Sequence, residues 1–169
     1  MATVQRYTTL ISVSCFIGIL LSVYALYVEM KAEEDNNYEA LCDISEHISC
    51  TKVFLSGYGR GFGIIGQIFG ENSPLNLPNG FYGIGFYLIM SLLNQSRSLS
   101  ISRLLVILNI ISNLLSLYLA YLLYFVLEDF CVVCVSIYGV SFVNLILSLK
   151  RHSAVINEQK ARKSLKKSK

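Results

Sequence analysis

The sequence predicts an all-α integral membrane protein: a bundle of four transmembrane helices, capped at one end by a connecting loop that contains a short helix. Three observations carry that expectation. The chain of 169 residues is 54% hydrophobic with a mean hydropathy of +0.55, well above an ordinary soluble domain, and its length suits one domain. Four windows, Tyr7–Val28, Asn72–Ser96, Leu104–Leu127 and Phe130–Leu149, hold no Asp, Glu, Lys or Arg over 22, 25, 24 and 20 residues. Each is long enough to cross ~30 Å of hydrocarbon as a helix. Charge is also segregated. Arg6, Arg97, Arg103 and the eight Lys/Arg after Leu149 would share one end of a four-span bundle, eleven of the fourteen basic residues. The stretch from Glu29 to Glu71, with Glu128 and Asp129, puts ten of the eleven acidic residues at the other end. The positive-inside rule then places both termini in the cytosol.

The elements follow in order within a single membrane domain, residues 1–149. The first span, about 9–28, is longer than a signal-peptide core, and no clear small-residue cleavage site follows it. A long non-cytosolic loop occupies about 29–78. In its hydrophilic first part Tyr38, Leu41, Ile44 and Ile48 recur at spacings of three and four, which predicts one short helix with an apolar stripe. Its second part, GYGRGFGIIGQIFG, is too short and glycine-rich to span. It is apolar enough to serve as a lid or interfacial anchor, or simply as a buried loop. Pro74 and Pro78 lead into the second span, about 79–96, whose glycines permit close helix approach. A polar loop joins it to the third span, about 102–127. The sequon Asn94-Gln95-Ser96 falls on the cytosolic side and is expected to stay unmodified. Glu128 and Asp129 alone separate the third span from the fourth, about 130–149. Residues 150–169 form a tail too basic and too poor in apolar residues to pack, so disorder is expected. Its ending, KKSK, fits a dilysine retrieval signal of the endoplasmic reticulum as well as a plain basic tail near anionic lipid. Nucleic acid is not an expected partner, and nothing in the spans demands a dimer.

Chemistry is concentrated in the cysteines. Cys15 lies mid-span and reads as a small apolar residue. Cys42, Cys50, Cys131 and Cys134 all fall at the acidic end. A zinc site is a poor reading, because Cys-x7-Cys followed some eighty residues later by Cys-x2-Cys matches no common zinc spacing and thiolates oxidise in a secretory lumen. Two static disulfides are the plainer alternative. Against them, the first cysteine of a Cys-x-x-Cys at a helix start gains from the helix N-terminus, as catalytic or labile pairs do. Cys134 would sit one turn deeper, where it could meet a lipid-soluble electron carrier. The loop cysteines could meet soluble protein dithiols. Together they describe an electron relay between lumenal dithiols and a membrane quinone.

Several short pieces resemble the animal branch of the vitamin K epoxide reductase family: ALCD at Ala40–Asp43, Cys50 with CTKVF, GRGFG at Gly59–Gly63, the Leu75–Asn79 segment, YLAY and YFVL within Tyr118–Leu127, and DFCVVC followed by Tyr138. The resemblance runs over roughly Leu20 to Leu149 and implies a four-helix bundle in the endoplasmic reticulum membrane. It implies reduction of vitamin K 2,3-epoxide to the quinone and of the quinone to the hydroquinone, which supports γ-carboxylation of secreted proteins. Cys131 and Cys134 would be the active redox pair, with Cys134 attacking the substrate. Cys42 and Cys50 would shuttle electrons from a lumenal thioredoxin-like dithiol protein of the disulfide-isomerase type. Asn79 and Tyr138 would hold the two ring oxygens, and Phe54, Phe62, Tyr82, Phe86 and Tyr87 are candidate walls. No tightly bound cofactor is expected; the quinone or epoxide is a lipid-soluble substrate.

Tyr58 stands where vertebrate relatives carry tryptophan and Tyr82 where phenylalanine is usual, so sensitivity to coumarin-type anticoagulants does not carry over from the resemblance. The same relay would also serve a quinone-coupled oxidase of protein thiols, and epoxide turnover separates the two. A non-enzymatic four-span protein with two structural disulfides is the third reading. Single cysteine replacements would distinguish it, since a static bond affects stability and a catalytic cysteine affects turnover.

Overall fold

The computed structural model describes residues 2–35, 38–45 and 47–167. It is all-helical: α1 (Ala2–Glu34), α2 (Cys50–Leu55), a 3-10 turn at Gly61–Gly63, α3 (Ile65–Phe69), α4 (Asn79–Leu93), α5 (Leu99–Phe125) and α6 (Val132–Lys167). Among the described residues only isolated bridges, and no strands, occur. Three helices, α1, α5 and α6, are long and apolar enough to cross a membrane, while α4 has 15 residues. In the most apolar stretch of α5 only 11% of residues are buried within the protein, and Leu114, Leu117 and Tyr124 point outward. A water-soluble fold would cover such a face, whereas hydrocarbon solvates it.

Packing centres on α1, which lies against α4 and α6; α6 in turn lies against α5. Glycines make the α1–α4 contact close, since Cβ atoms at Gly80 and Gly83 would run into Ser22 of α1. α4 and α5 scarcely touch, which leaves a gap between them. Two apolar clusters fill the bundle. One, around Val28, Cys50, Phe54, Leu123 and Cys131, sits at the acidic end. The other, around Ile11, Cys15, Tyr87, Met90 and Leu105, sits nearer the basic end.

Three expectations need correction. The short helix through Tyr38, Leu41, Ile44 and Ile48 is absent. Residues 38–45 are turns and irregular chain, and Leu41 and Ile44 are exposed rather than forming a buried stripe. Local bonding overrides the periodicity. Asp43 accepts from the Ala40 N–H at 2.8 Å, the Ser49 hydroxyl at 2.9 Å, the Thr51 N–H at 3.1 Å and the Thr51 hydroxyl, and such side-chain bonds offer the backbone an alternative to helix. The helix begins instead at Cys50, where the Ser49 hydroxyl caps the Lys52 N–H at 3.2 Å. The second span is shorter than residues 79–96, because Asn94 caps α4 and a turn follows. The tail, expected to be disordered, continues α6 as helix through Lys167. Arg151 anchors its start, buried against α1 and the α4–α5 turn through the Thr8 hydroxyl at 3.2 Å and the carbonyls of Asn94 and Ser96 at 2.9 and 2.6 Å. The last two residues of KKSK lie outside the described chain, so the retrieval signal has no structural description.

Candidate active site

The site is assembled from the α5–α6 turn, the start of α6, and the loop between α1 and α4. After α5 the chain reverses through Glu128, at φ 53°, and the Phe130 N–H donates to the His47 carbonyl at 2.8 Å. That bond docks the cysteine loop onto the turn. Cys131 precedes α6 and its carbonyl accepts the first helical bond, from Val135. The Cys134 N–H, one of the free donors of the helix N-terminus, points at Cys131 Sγ at 3.1 Å. Such donors favour the thiolate form of a cysteine.

The four acidic-end cysteines stand in a line. Cys42 is bonded to Cys50 and Cys131 to Cys134, with Cα separations of 5.8 and 5.3 Å. Cys50 and Cys131 are fully buried, and their sulfurs approach to 3.9 Å. The order is therefore Cys42, Cys50, Cys131, Cys134, with each sulfur next to its successor. Cys15 is a free, buried cysteine well away from this line. The donor atoms of Cys42, Asp43 and Cys50 lie within 4.8 Å of one another. A disulfide offers no thiolate to a metal, however, and the Asp43 carboxylate is already engaged by four donors. Burial pushes the Asp43 carboxyl up, but the bonds from Thr51, Ala40 and Ser49 outweigh it and hold the group below its ordinary value.

Cys134 opens on a cavity of about 350 Å³ between α1, α4, α5 and α6. Its walls include every non-cysteine residue singled out in the sequence, namely Phe54, Phe62, Asn79, Tyr82, Phe86, Tyr87 and Tyr138. The loop GRGFG roofs it. A Cβ at Gly59 would collide with the Phe54 carbonyl, and Gly61, Phe62 and Gly63 take φ of 53, 59 and 69° in succession. Left-handed Phe62 is costly for a residue with a Cβ and is held from two sides. Its N–H donates to Asn79 Oδ1 at 2.8 Å, and its ring packs on Tyr82 with centroids 5.0 Å apart. Asn79 Nδ2 donates to the Tyr58 carbonyl at 2.7 Å. These two bonds fix the amide orientation and leave one N–H uncommitted. Among the described residues, Tyr138 Oη has no hydrogen-bond partner. Tyr87 turns its hydroxyl away, to Ser141 Oγ at 3.0 Å, and Tyr82 bonds the Leu75 carbonyl.

The sequence reading missed three features. Ser22 lines the cavity with a buried hydroxyl that has no partner among the described residues, and Ser112 and Ser116 line it from α5. Isolated serines in apolar spans carry no sequence signal of a site. Arg60 bonds Glu29 at 3.1 Å and Glu33 at 2.6 Å, tying the roof to α1. Ending the first span at Val28 hid that contact, because α1 runs on to Glu34.

An apolar helical fold in which paired cysteines face a cavity fits the class of membrane oxidoreductases. Residues 9–149 match the Vitamin K epoxide reductase family. The chain is 41% identical over 152 residues to the mouse Vitamin K epoxide reductase complex subunit 1, covering 89% of this chain and 94% of the mouse protein. It is 42% identical over 137 residues to the rat protein of the same name, covering 81% and 85%. The chain belongs to the vitamin K epoxide reductase family.

Proposed function

We propose that the chain reduces vitamin K 2,3-epoxide to the quinone and the quinone to the hydroquinone, with Cys131 and Cys134 as the working dithiol. One observation carries the reading: Cys134 faces the cavity while Cys131 Sγ lies 3.9 Å from Cys50 Sγ, so the pair stands between an apolar chamber and a second disulfide. In the reduced enzyme the Cys134 thiolate attacks the bound ring. Cys131 then attacks Cys134 Sγ, the disulfide closes, and two electrons remain on the substrate. Recharging runs the other way along the line. Reduced Cys50 attacks Cys131 and frees Cys134, then Cys42 attacks Cys50 and frees Cys131. The Cys42–Cys50 disulfide passes its oxidation to an external dithiol, for which a lumenal thioredoxin-like protein is the fitting class.

The uncommitted Asn79 N–H and the free Tyr138 hydroxyl are suited to donate to ring oxygens on which negative charge develops, and the aromatic walls exclude water. In this reading α4 is the fourth, short span, the Gly59–Phe69 segment is the cap, and the protein works as a monomer. It resides in the endoplasmic reticulum membrane with both termini cytosolic, and it supplies hydroquinone for γ-carboxylation. The gap between α4 and α5 gives the isoprenoid side chain a place to lie.

The test uses microsomes holding the wild-type chain or Cys134→Ala at matched levels, with dithiothreitol as reductant and epoxide and quinone reduction followed separately. Epoxide turnover that the variant abolishes is the expected result. Quinone reduction alone would instead mark a quinone-coupled thiol oxidase. Loss of neither activity in the variant, or no turnover by folded wild-type protein, would overturn the relay.

A further inference from the structure

Below the cavity the interior face of α6 stays polar where an apolar bundle needs no polar groups. Ser141, Asn144 and Ser148 follow at helical spacing, all buried to within 2% exposure. The row begins at the cavity wall, where Tyr87 Oη meets Ser141 Oγ at 3.0 Å. α5 supplies Asn109, whose Nδ2 donates to Ser148 Oγ at 2.9 Å. The row ends one turn further on at Arg151, whose guanidinium reaches the half-exposed turn at Ser96.

Interhelical hydrogen bonding alone does not account for this row. Among the described residues Asn144 Oδ1 has no hydrogen-bond partner although the residue is fully buried, its N–H meets nothing better than the Cys15 sulfur, and Asn109 Oδ1 is also unpartnered. That sulfur is a weak acceptor and a poor substitute for an oxygen partner. Buried amides without partners are expensive and in folded proteins are met by ordered water.

We propose that this file between α1, α5 and α6 binds water and carries away the water formed in epoxide reduction. The inference rests on the reductase reading above. Its chemistry is asymmetric between the two steps. A dithiol and an epoxide give a disulfide, a quinone and one water, the epoxide oxygen leaving with the two thiol protons. A dithiol and a quinone give a disulfide and a hydroquinone, and no water. Water released into an apolar chamber must leave before the next apolar ligand fills it, and the file starts at the chamber's own wall.

The experiment compares wild type with Asn144→Leu, which fills the site with an apolar group, and Asn144→Ser, which keeps a polar one. The maximal epoxide rate is expected to fall several-fold in Asn144→Leu with the quinone rate unchanged, and to stay near wild type in Asn144→Ser. Unchanged rates in Asn144→Leu, or a parallel fall in both, overturns the file. Asn109→Leu provides the same comparison if Asn144→Leu fails to accumulate. A readout independent of turnover is radiolytic hydroxyl-radical labelling of Cys15, which requires local water. Labelling in wild type that is lost in Asn144→Leu is expected, and an unlabelled wild-type Cys15 overturns the proposal. Wild-type protein that labels Cys15 but reduces no epoxide would sink the reductase reading and leave the water site standing.

Discussion

The Asn79 amide divides its work between the roof and the chamber. Its oxygen holds left-handed Phe62, one N–H holds Tyr58, and the second N–H is uncommitted, which the proposed reading gives to the ligand. In the proposed reading Tyr138 serves the ligand alone, since its hydroxyl has no partner among the described residues. The two residues should therefore fail differently. Asn79→Ala unpairs a donor and an acceptor at about 1–3 kcal/mol each, so the Ser56–Pro78 loop should become protease-sensitive while kcat/KM falls. Tyr138→Phe should lower kcat by as much as about a hundredfold, the scale of one donor to a developing oxyanion, with the loop as resistant as in wild type. Limited proteolysis beside turnover distinguishes the two, and equal loop sensitivity in both variants would refute the division. The place of Asn79 in the cavity wall was legible only through the family resemblance, since an asparagine at the start of a span otherwise reads as a cap.

At the scale of elements, the long helices were legible and the connecting chain was not. Charge-free windows located α1, α5 and α6 because lipid-facing helices cannot hide charge. The same windows overran α4, because Asn94, Gln95 and Ser96 are polar without being charged. The expected helix before Cys50 failed because spacing reports only that an apolar face is available, and nothing there covers Leu41 or Ile44. Asp43 decides that segment, and its ionisation gives a pH test. Its carboxyl is held below its ordinary value in the folded protein, so the staple contributes stability above the unfolded aspartate value, near 3.9. That contribution disappears as pH falls through the lower folded value. Hydrogen exchange over residues 38–51 should show a loosening in acid in wild type. Asp43→Asn should be loose at every pH with no acid step. An identical acid step in the variant would assign the effect to another group.

At the scale of the whole molecule, charge separation and the cysteine line point the same way. The basic cluster of Arg97, Arg103 and Arg151 sits at the α4–α5 turn, and Cys42, Cys50, Cys131 and Cys134 sit at the other end of the helices. Burial of Arg151 and the helical tail were not legible, because a basic run looks alike whether it is solvated or docked; only the polar acceptors at Thr8, Asn94 and Ser96 distinguish the cases. The proposed orientation makes opposite predictions for two asparagines. Asn94 lies in a sequon at the basic end, its amide bonded to the Thr8 carbonyl at 2.8 Å. Asn72 lies exposed in the loop at the acidic end, and Pro74→Ser completes a sequon there. Glycans are added only on the lumenal side, during synthesis and before Asn94 is packed away, so topology rather than burial decides which site is used. Expressed with microsomal membranes, wild type should show no glycosidase-sensitive mass, and Pro74→Ser should gain one glycan that Asn72→Gln removes. A glycan on Asn94 would invert the bundle and place the cysteine line in the cytosol, where a reducing environment would leave the shuttle pair without a task.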